Sequence, residues 1–263
     1  MKHWFKWILF VLLVFICGCN RNRAPTPKNV DIRIAFGYKD TRPTQFVGDR
    51  YERLYLIQYL TRNCSQLKNL ICGFVRDEHD GDSLLRVFNV TKTNVVQVRV
   101  KITPSSVGPD DEQNRLNPYQ EIQSAISENN LLSGLNSAQA IFYIGHSRDG
   151  GGPDFKPPQL TPSKEVDFNW YRTNKPGLQK LLEEIRSSKN TQPQTFGMLS
   201  CLSSKHFEQS IYSLTKRIRF VSTKKLIYYT EALDQSLREV SKVIREQLLT
   251  ATSGASTPKT LSF

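Results

Sequence analysis

Alternation of apolar and polar positions divides the chain into segments with two different periods. A period of two, typical of strands, occurs at residues 30–36 and 95–102. Nearly continuous apolar runs, typical of strands buried on both faces, occur at residues 138–145 and 195–199. The remaining strand candidates are residues 70–75, 84–90 and 220–229. Residues 84–90 fit a short helix equally well.

Helical spacing of apolar residues occurs between these strands. The predicted helices are residues 50–62, 118–129, 177–187, 206–217 and 231–249. Strands that alternate with helices predict an α/β fold, in which a mostly parallel sheet has helices on both faces. We therefore predict a three-layer sandwich, folded as a single domain over residues 30–249, with a flexible tail at residues 250–263.

The N-terminus has the layout of an export signal. Lys2 and Lys6 flank an apolar run at residues 8–15, which is too short to span a bilayer. The run ends in ICGC at residues 16–19, which resembles the lipobox of bacterial lipoproteins. The resemblance implies a signal peptide at residues 1–18 and a lipid on Cys19 that binds the chain to a membrane. An ordinary secretory signal without a lipid is the alternative.

The residues after Cys19 predict where the folded domain lies. Residues 19–29 contain Pro25 and Pro27 and are predicted to form an extended tether between the lipid and the domain. Asn20 is not the Asp that lipoprotein sorting associates with inner-membrane retention. The expected location is therefore the bacterial cell envelope, with the outer membrane favoured.

The net charge of the chain is +12, from 36 basic and 24 acidic residues. Loss of Lys2 and Lys6 with the leader leaves 34 basic and 24 acidic residues, a net charge of +10. Such a charge suits nucleic acid or an anionic envelope surface. No stripe of Arg and Lys is interleaved with aromatic residues, so we predict a solvated basic surface and no nucleic-acid partner.

Cysteine usage singles out one thiol. Of five cysteines, Cys17 leaves with the leader and Cys19 is the lipidation site. Cys64 and Cys72 are close in sequence and can form a disulfide in the oxidising envelope. Cys201 then remains unpaired, and such a thiol is intermolecular, buried and inert, or reactive.

Two residues with catalytic chemistry follow the buried strands. His146 comes just after the strand predicted at residues 138–145, and Cys201 just after the strand predicted at residues 195–199. In parallel sheets, catalytic groups collect beyond the carboxyl ends of the strands. A nearby imidazole can take the proton of a thiol and generate the nucleophilic thiolate, so this placement predicts a cysteine nucleophile with a histidine base.

The motifs IFYIGHS at residues 141–147 and FGMLSC at residues 196–201 resemble the two catalytic blocks of caspase-like cysteine peptidases. The separation of His146 and Cys201 is 55 residues, close to the roughly 50 of caspases. The resemblance implies a caspase-like fold and cleavage of peptide bonds in a peptide or protein substrate, with no cofactor. His146 would act as general base and acid, and Cys201 as nucleophile.

The same resemblance implies an oxyanion hole made of backbone N–H groups, which here belong to Ser147 and Cys201. The family has Gly at the position of Ser147, and caspases have Gln before and Gly after the cysteine, where this chain has Ser200 and Leu202. The substrate preference is therefore open. A non-catalytic lipoprotein that binds an envelope partner on the same fold is one alternative.

A second alternative is a serine hydrolase. GHSRD at residues 145–149 nearly matches the G-x-S-x-G elbow of α/β-hydrolases, with Ser147 as nucleophile, although the last Gly is missing. The partners would be His206 and either Asp167 or Asp234. The acidic loop at residues 77–82 places His79 among carboxylates, but its spacing is incomplete for an EF-hand, and no metal site is predicted.

Overall fold

The computed structural model describes residues 27–39, 48–65, 69–92 and 94–253. The described residues form one seven-stranded sheet with the strand order β2-β3-β4-β1-β5-β6-β7. The strands are β1 (Lys28–Phe36), β2 (Val75–Arg76), β3 (Ser83–Asn89), β4 (Val95–Thr103), β5 (Ala140–Ile144), β6 (Gln194–Leu199) and β7 (Ile218–Val221). Strands β4, β1, β5, β6 and β7 are parallel neighbours, whereas β2 and β3 pair antiparallel at one edge.

Seven α-helices lie within the described residues. They are α1 (Asp49–Thr61), α2 (Asp111–Leu116), α3 (Gln120–Ser137), α4 (Phe168–Asn174), α5 (Pro176–Ser187), α6 (Gln209–Leu214) and α7 (Tyr229–Ser253). A 3₁₀ turn at Arg148–Gly150 follows β5, and a π-helical turn at Ser204–Glu208 leads into α6. The sequence pattern did not indicate α2 or α4.

Two apolar clusters pack on opposite faces of the sheet. One cluster joins alternate side chains of β1 and β4 to α1 and α7, for example Leu56 and Val240. The other cluster joins β5 and β6 to α3, α5 and α6, for example Leu131, Leu181 and Ile211. The sheet is therefore covered by helices on both sides, and the predicted α/β class with a mostly parallel central sheet is confirmed.

The strand predicted at residues 70–75 was wrong. This segment forms turns, because Cys64 and Cys72 are joined in a disulfide and Gly73 has a φ of 66°. The N–H groups of Gly73 and Phe74 bond back to the end of α1 rather than to a neighbouring strand. Only Val75–Arg76 pairs with the sheet.

The strand predicted at residues 220–229 was also wrong over most of its length. Strand β7 ends at Val221, and α7 begins at Tyr229. Residues 222–228 form a loop that runs beside the chain after β6, where the carbonyls of Thr223 and Lys225 accept hydrogen bonds from the N–H groups of Ser204 and Leu202. We call residues 222–228 the β7–α7 loop.

The domain extends past both of its predicted bounds. Strand β1 begins at Lys28, which is in register with Val96 of β4, so the last two residues of the predicted tether belong to the sheet. Helix α7 continues to Ser253, and Lys28 Nζ donates to Thr250 Oγ1 at 2.8 Å, so the predicted tail begins too early. The leader, Cys19 and residues 254–263 lie outside the described residues. Across the described part of the chain, none of the helices is both long enough and apolar enough to cross a membrane.

Candidate functional site

The candidate site lies at the edge of the sheet where the parallel strands end, which we call the carboxyl edge. Ile144, the last residue of β5, is in register with Leu199, the last residue of β6. His146 and Cys201 each follow two residues later. Because paired strands are about 4.8 Å apart, this register brings both residues to the same end of two adjacent strands.

A buried tyrosine shapes the chain that carries His146. Tyr143 Oη lies 2.9 Å from the carbonyl oxygen of His146, and it accepts a hydrogen bond from the N–H of Asp154 at 3.0 Å. A Cβ atom on Gly145 would lie 2.6 Å from the same hydroxyl, so this position needs glycine. The chain after β5 therefore packs against the Tyr143 hydroxyl and forms hydrogen bonds with it.

Ser147 adopts an ordinary helical backbone conformation, with φ −75° and ψ −17°. A serine in place of the expected glycine therefore causes no backbone strain. The strain falls on the next two residues, because Arg148 and Asp149 have φ values of 46° and 51°, in the left-handed region. Such conformations persist where surrounding contacts impose them, and they often occur at functional sites.

A buried ion pair holds this strained turn. Arg148 Nε donates to Asp154 Oδ2 at 2.8 Å, and both side chains are almost inaccessible to solvent. Tyr171 Oη donates to the same carboxylate oxygen at 3.0 Å. Burial raises the pKa of Asp154, while the Arg148 guanidinium acts in the opposite direction.

The imidazole of His146 is held in its neutral form. Burial lowers its pKa to about 3, and the positive charges of Arg148 and Lys39 act in the same direction. Its Nε2 lies 3.1 Å from Tyr229 Oη, at the start of α7. The imidazole is therefore neutral at physiological pH and has a lone pair on one ring nitrogen, while its low pKa makes it a weaker proton acceptor than a free histidine.

Cys201 is a free and partly exposed cysteine. Its Sγ lies 3.8 Å from the carbonyl oxygen of Ile227, in the β7–α7 loop. The next residue, Leu202, has a φ of 54°, so the backbone turns sharply into the π-helical turn. Both candidate catalytic residues therefore contact the segment between Ile227 and Tyr229.

A buried lysine completes the carboxyl edge. Lys39 follows β1, and its side chain is 2% exposed, which is unusual for a charged group. Its ammonium lies 3.2 Å from the centroid of the Tyr229 ring and forms an ion pair with Glu52 of α1. Burial lowers the pKa of Lys39 to about 8 and raises that of Glu52, while the opposite charge of each partner counteracts both shifts.

The residues of the serine-hydrolase alternative do not assemble around Ser147. Asp167 caps α4 by accepting from the N–H of Trp170, and Asp234 pairs with Arg238 on α7. His206 Nε2 lies 3.8 Å from Asp149 Oδ1. Among the described residues, no hydrogen bond joins Ser147 to a histidine.

Carboxylates of the acidic loop after β2 form ion pairs. They pair with basic side chains of α1 and β4, as Asp77–Arg99, Asp80–Lys101 and Asp82–Arg53. His79 is exposed, and its N–H donates to Asp77. No group of three or more potential metal ligands occurs in the described part of the chain.

Two site residues, Tyr229 and Lys39, were missed from the sequence. Lys39 could have been found, because it follows a strand that ends at the same edge as the strands before His146 and Cys201. Tyr229 carried no signal, since it fell within a segment assigned to a strand. A comparison of the chain with protein-family models and with curated protein sequences finds no match.

Proposed function

We propose that the chain is a lipid-anchored, caspase-like cysteine peptidase that uses His146 and Cys201. The observation that carries the proposal is their register: each lies two residues beyond the paired positions Ile144 and Leu199, on adjacent parallel strands. A nucleophile and a base at one sheet edge, on rigid buried strands, are suited to attack a substrate bound there.

In the proposed reaction, His146 takes the proton of the Cys201 thiol as Sγ attacks the carbonyl carbon of the scissile peptide bond. The carbonyl oxygen becomes an oxyanion. His146 then gives the proton to the leaving amine as the C–N bond breaks, which leaves a thioester on Cys201. Water, deprotonated by His146, hydrolyses the thioester and restores the thiol.

The backbone around the two residues is compatible with an oxyanion hole. Within the described residues, the N–H groups of Ser147 and Cys201 donate no hydrogen bond to another protein group. The relaxed helical conformation of Ser147 also removes the objection that a glycine is required there. These N–H groups are the expected donors to the oxyanion.

Membrane anchoring through Cys19 is the second part of the proposal, and the sequence supports it. The disulfide between Cys64 and Cys72 fits an exported domain, because such bonds persist in oxidising compartments. Mass spectrometry of the mature N-terminus tests the anchor directly. A diacylglyceryl modification on Cys19 is expected, and an unmodified N-terminus after a different cleavage site would contradict it.

The peptidase is tested with the full chain purified from membranes in detergent. Iodoacetamide is applied without reductant, so that the disulfide is not alkylated, and the modified cysteine is located by peptide mapping. We expect rapid alkylation of Cys201 that His146→Ala slows strongly. His79→Ala is the matched control, because His79 is exposed in the loop between β2 and β3, three strands or more from β5 and β6 in the sheet, and it is expected to leave the rate unchanged.

Cleavage is measured with casein and a fluorogenic peptide library, and Cys201→Ala is expected to abolish it. If His146→Ala and His79→Ala behave alike and no substrate is cleaved, the domain is a non-catalytic binding lipoprotein. Labelling of Ser147 by a fluorophosphonate would instead favour a serine hydrolase.

A further inference from the structure

Tyr229 forms a hydrogen bond with the imidazole of His146. The two residues are 83 positions apart, and they meet because α7 begins at the carboxyl edge beside the end of β5. Tyr229 Oη lies 3.1 Å from Nε2, and the two rings meet at an interplanar angle of 76°. The contact therefore restricts both the position and the tilt of the imidazole.

The Tyr229 ring makes a cation–π contact with Lys39. Lys39 places its ammonium 3.2 Å from the ring centroid, and the same ammonium forms an ion pair with Glu52. A cation over the face of an aromatic ring is attracted by its quadrupole, and more strongly where water is excluded. Glu52, Lys39, Tyr229 and His146 thus form a continuous line of contacts from α1 to β5.

We propose that Tyr229 is the positioning residue of the site, the third member of a Cys201–His146–Tyr229 triad in which the phenol oxygen accepts a hydrogen bond from Nε2–H. This proposal rests on the proposed function. A general base is commonly oriented by a third group that also selects its tautomer, as the aspartate does in serine proteases. Here a neutral hydroxyl takes that role.

The tautomer decides whether His146 can act. With the ring proton on Nε2, Nδ1 has a free lone pair that can accept the thiol proton of Cys201. Nδ1 has no hydrogen-bond partner among the described residues, so its lone pair is not used by another protein group. When His146 is protonated, Nε2–H stays bonded to Tyr229 Oη, and only the proton on Nδ1 moves to the leaving amine.

Tyr229→Phe tests the assignment, because it removes the hydroxyl and keeps the ring over Lys39. The matched control is Tyr228→Phe, since Tyr228 is adjacent and 79% exposed. With the full chain, Tyr229→Phe is expected to slow alkylation of Cys201 by iodoacetamide about tenfold, part of the ~10²–10⁴-fold that a positioned base contributes. Tyr228→Phe is expected to have no effect, and thermal melting verifies that both variants fold.

A spectroscopic readout separates positioning from a merely structural role. Two-bond ¹H–¹⁵N correlation spectra of ¹⁵N-histidine-labelled protein report the tautomer of each ring, and the signals of His146 are those that His146→Gln removes. The expected wild-type state is Nε2–H with unprotonated Nδ1, and Tyr229→Phe is expected to yield a mixture of tautomers.

An Nδ1–H tautomer in the wild type, or an unchanged alkylation rate in Tyr229→Phe, overturns the assignment of Tyr229. The proposed dyad still stands in that case if His146→Ala slows alkylation. If His146→Ala leaves the rate unchanged, it is the peptidase proposal that fails, and the tautomer spectrum reports the Tyr229 contact independently.

Discussion

Gly177, near the start of α5, packs directly against the carbonyl oxygen of Pro153. A Cβ atom at this position would overlap that oxygen and would also lie 2.7 Å from the carbonyl carbon of Gly152. The N–H of Gly177 donates to the carbonyl of Gly151 at 2.9 Å. Helix α5 therefore fixes the loop that leads away from His146, and only glycine permits this approach.

Gly177→Ala is accordingly expected to destabilise the protein by about 1–3 kcal/mol, as overpacking against backbone does. Gly81→Ala is the control, because no atom lies within 4 Å of a Cβ added there, and its effect is expected to stay within ~1 kcal/mol. Urea denaturation measures both free energies of unfolding. Equal effects at the two positions would contradict the packing argument.

The ion pair between Lys39 and Glu52 gives a prediction about stability. Lys39→Met leaves the Glu52 carboxylate buried without its partner, and such changes destabilise proteins by about 3–5 kcal/mol. Glu52→Gln in the Lys39→Met background removes the buried charge and is expected to recover a large part of that loss. The free energies of unfolding of the wild type, both single variants and the double variant are compared, and additive losses would exclude the coupling.

Neutral His146 predicts a loss of stability in acid. Its pKa is lowered to about 3 in the folded state from 6.5, so the unfolded state binds the proton more readily. The stability contribution is fully present above pH 6.5 and falls as the pH decreases towards 3, by at most about 1.4 kcal/mol per pH unit. We measure the free energy of unfolding against pH, and between pH 6.5 and 5 we expect it to fall less steeply in His146→Gln than in the wild type. Equal slopes in both proteins would contradict the neutral assignment.

The Cys64–Cys72 disulfide is expected to stabilise the domain without affecting the site. It links residues 8 positions apart, and closure of so short a loop in the unfolded chain corresponds to about 2–3 kcal/mol. Cys64→Ala/Cys72→Ala is expected to lower the free energy of unfolding by that amount. Dithiothreitol should destabilise the wild type alone. Because the disulfide follows α1 and lies away from the carboxyl edge, the alkylation rate of Cys201 should not change.

The local pattern of apolar residues was sufficient to identify the strands that carry the site. Strands β5 and β6 are buried at every position, so their apolar runs are continuous and their ends are visible in the sequence. The strand predicted at residues 70–75 was wrong because an apolar run is equally compatible with a buried turn. The disulfide and the positive φ of Gly73 determine that conformation, and neither has a periodic signature.

By itself, the sequence determined the α/β class, the buried strands and the residues that follow them, His146 and Cys201, because burial imposes a local pattern on each strand. The tertiary structure alone decided which polar groups meet at the carboxyl edge. Tyr228 and Tyr229 are identical in type and adjacent, yet one is 79% exposed and the other bonds to His146. That choice depends on where α7 begins against the sheet. The ion pair of Lys39 with Glu52 likewise depends on how α1 packs beside β1.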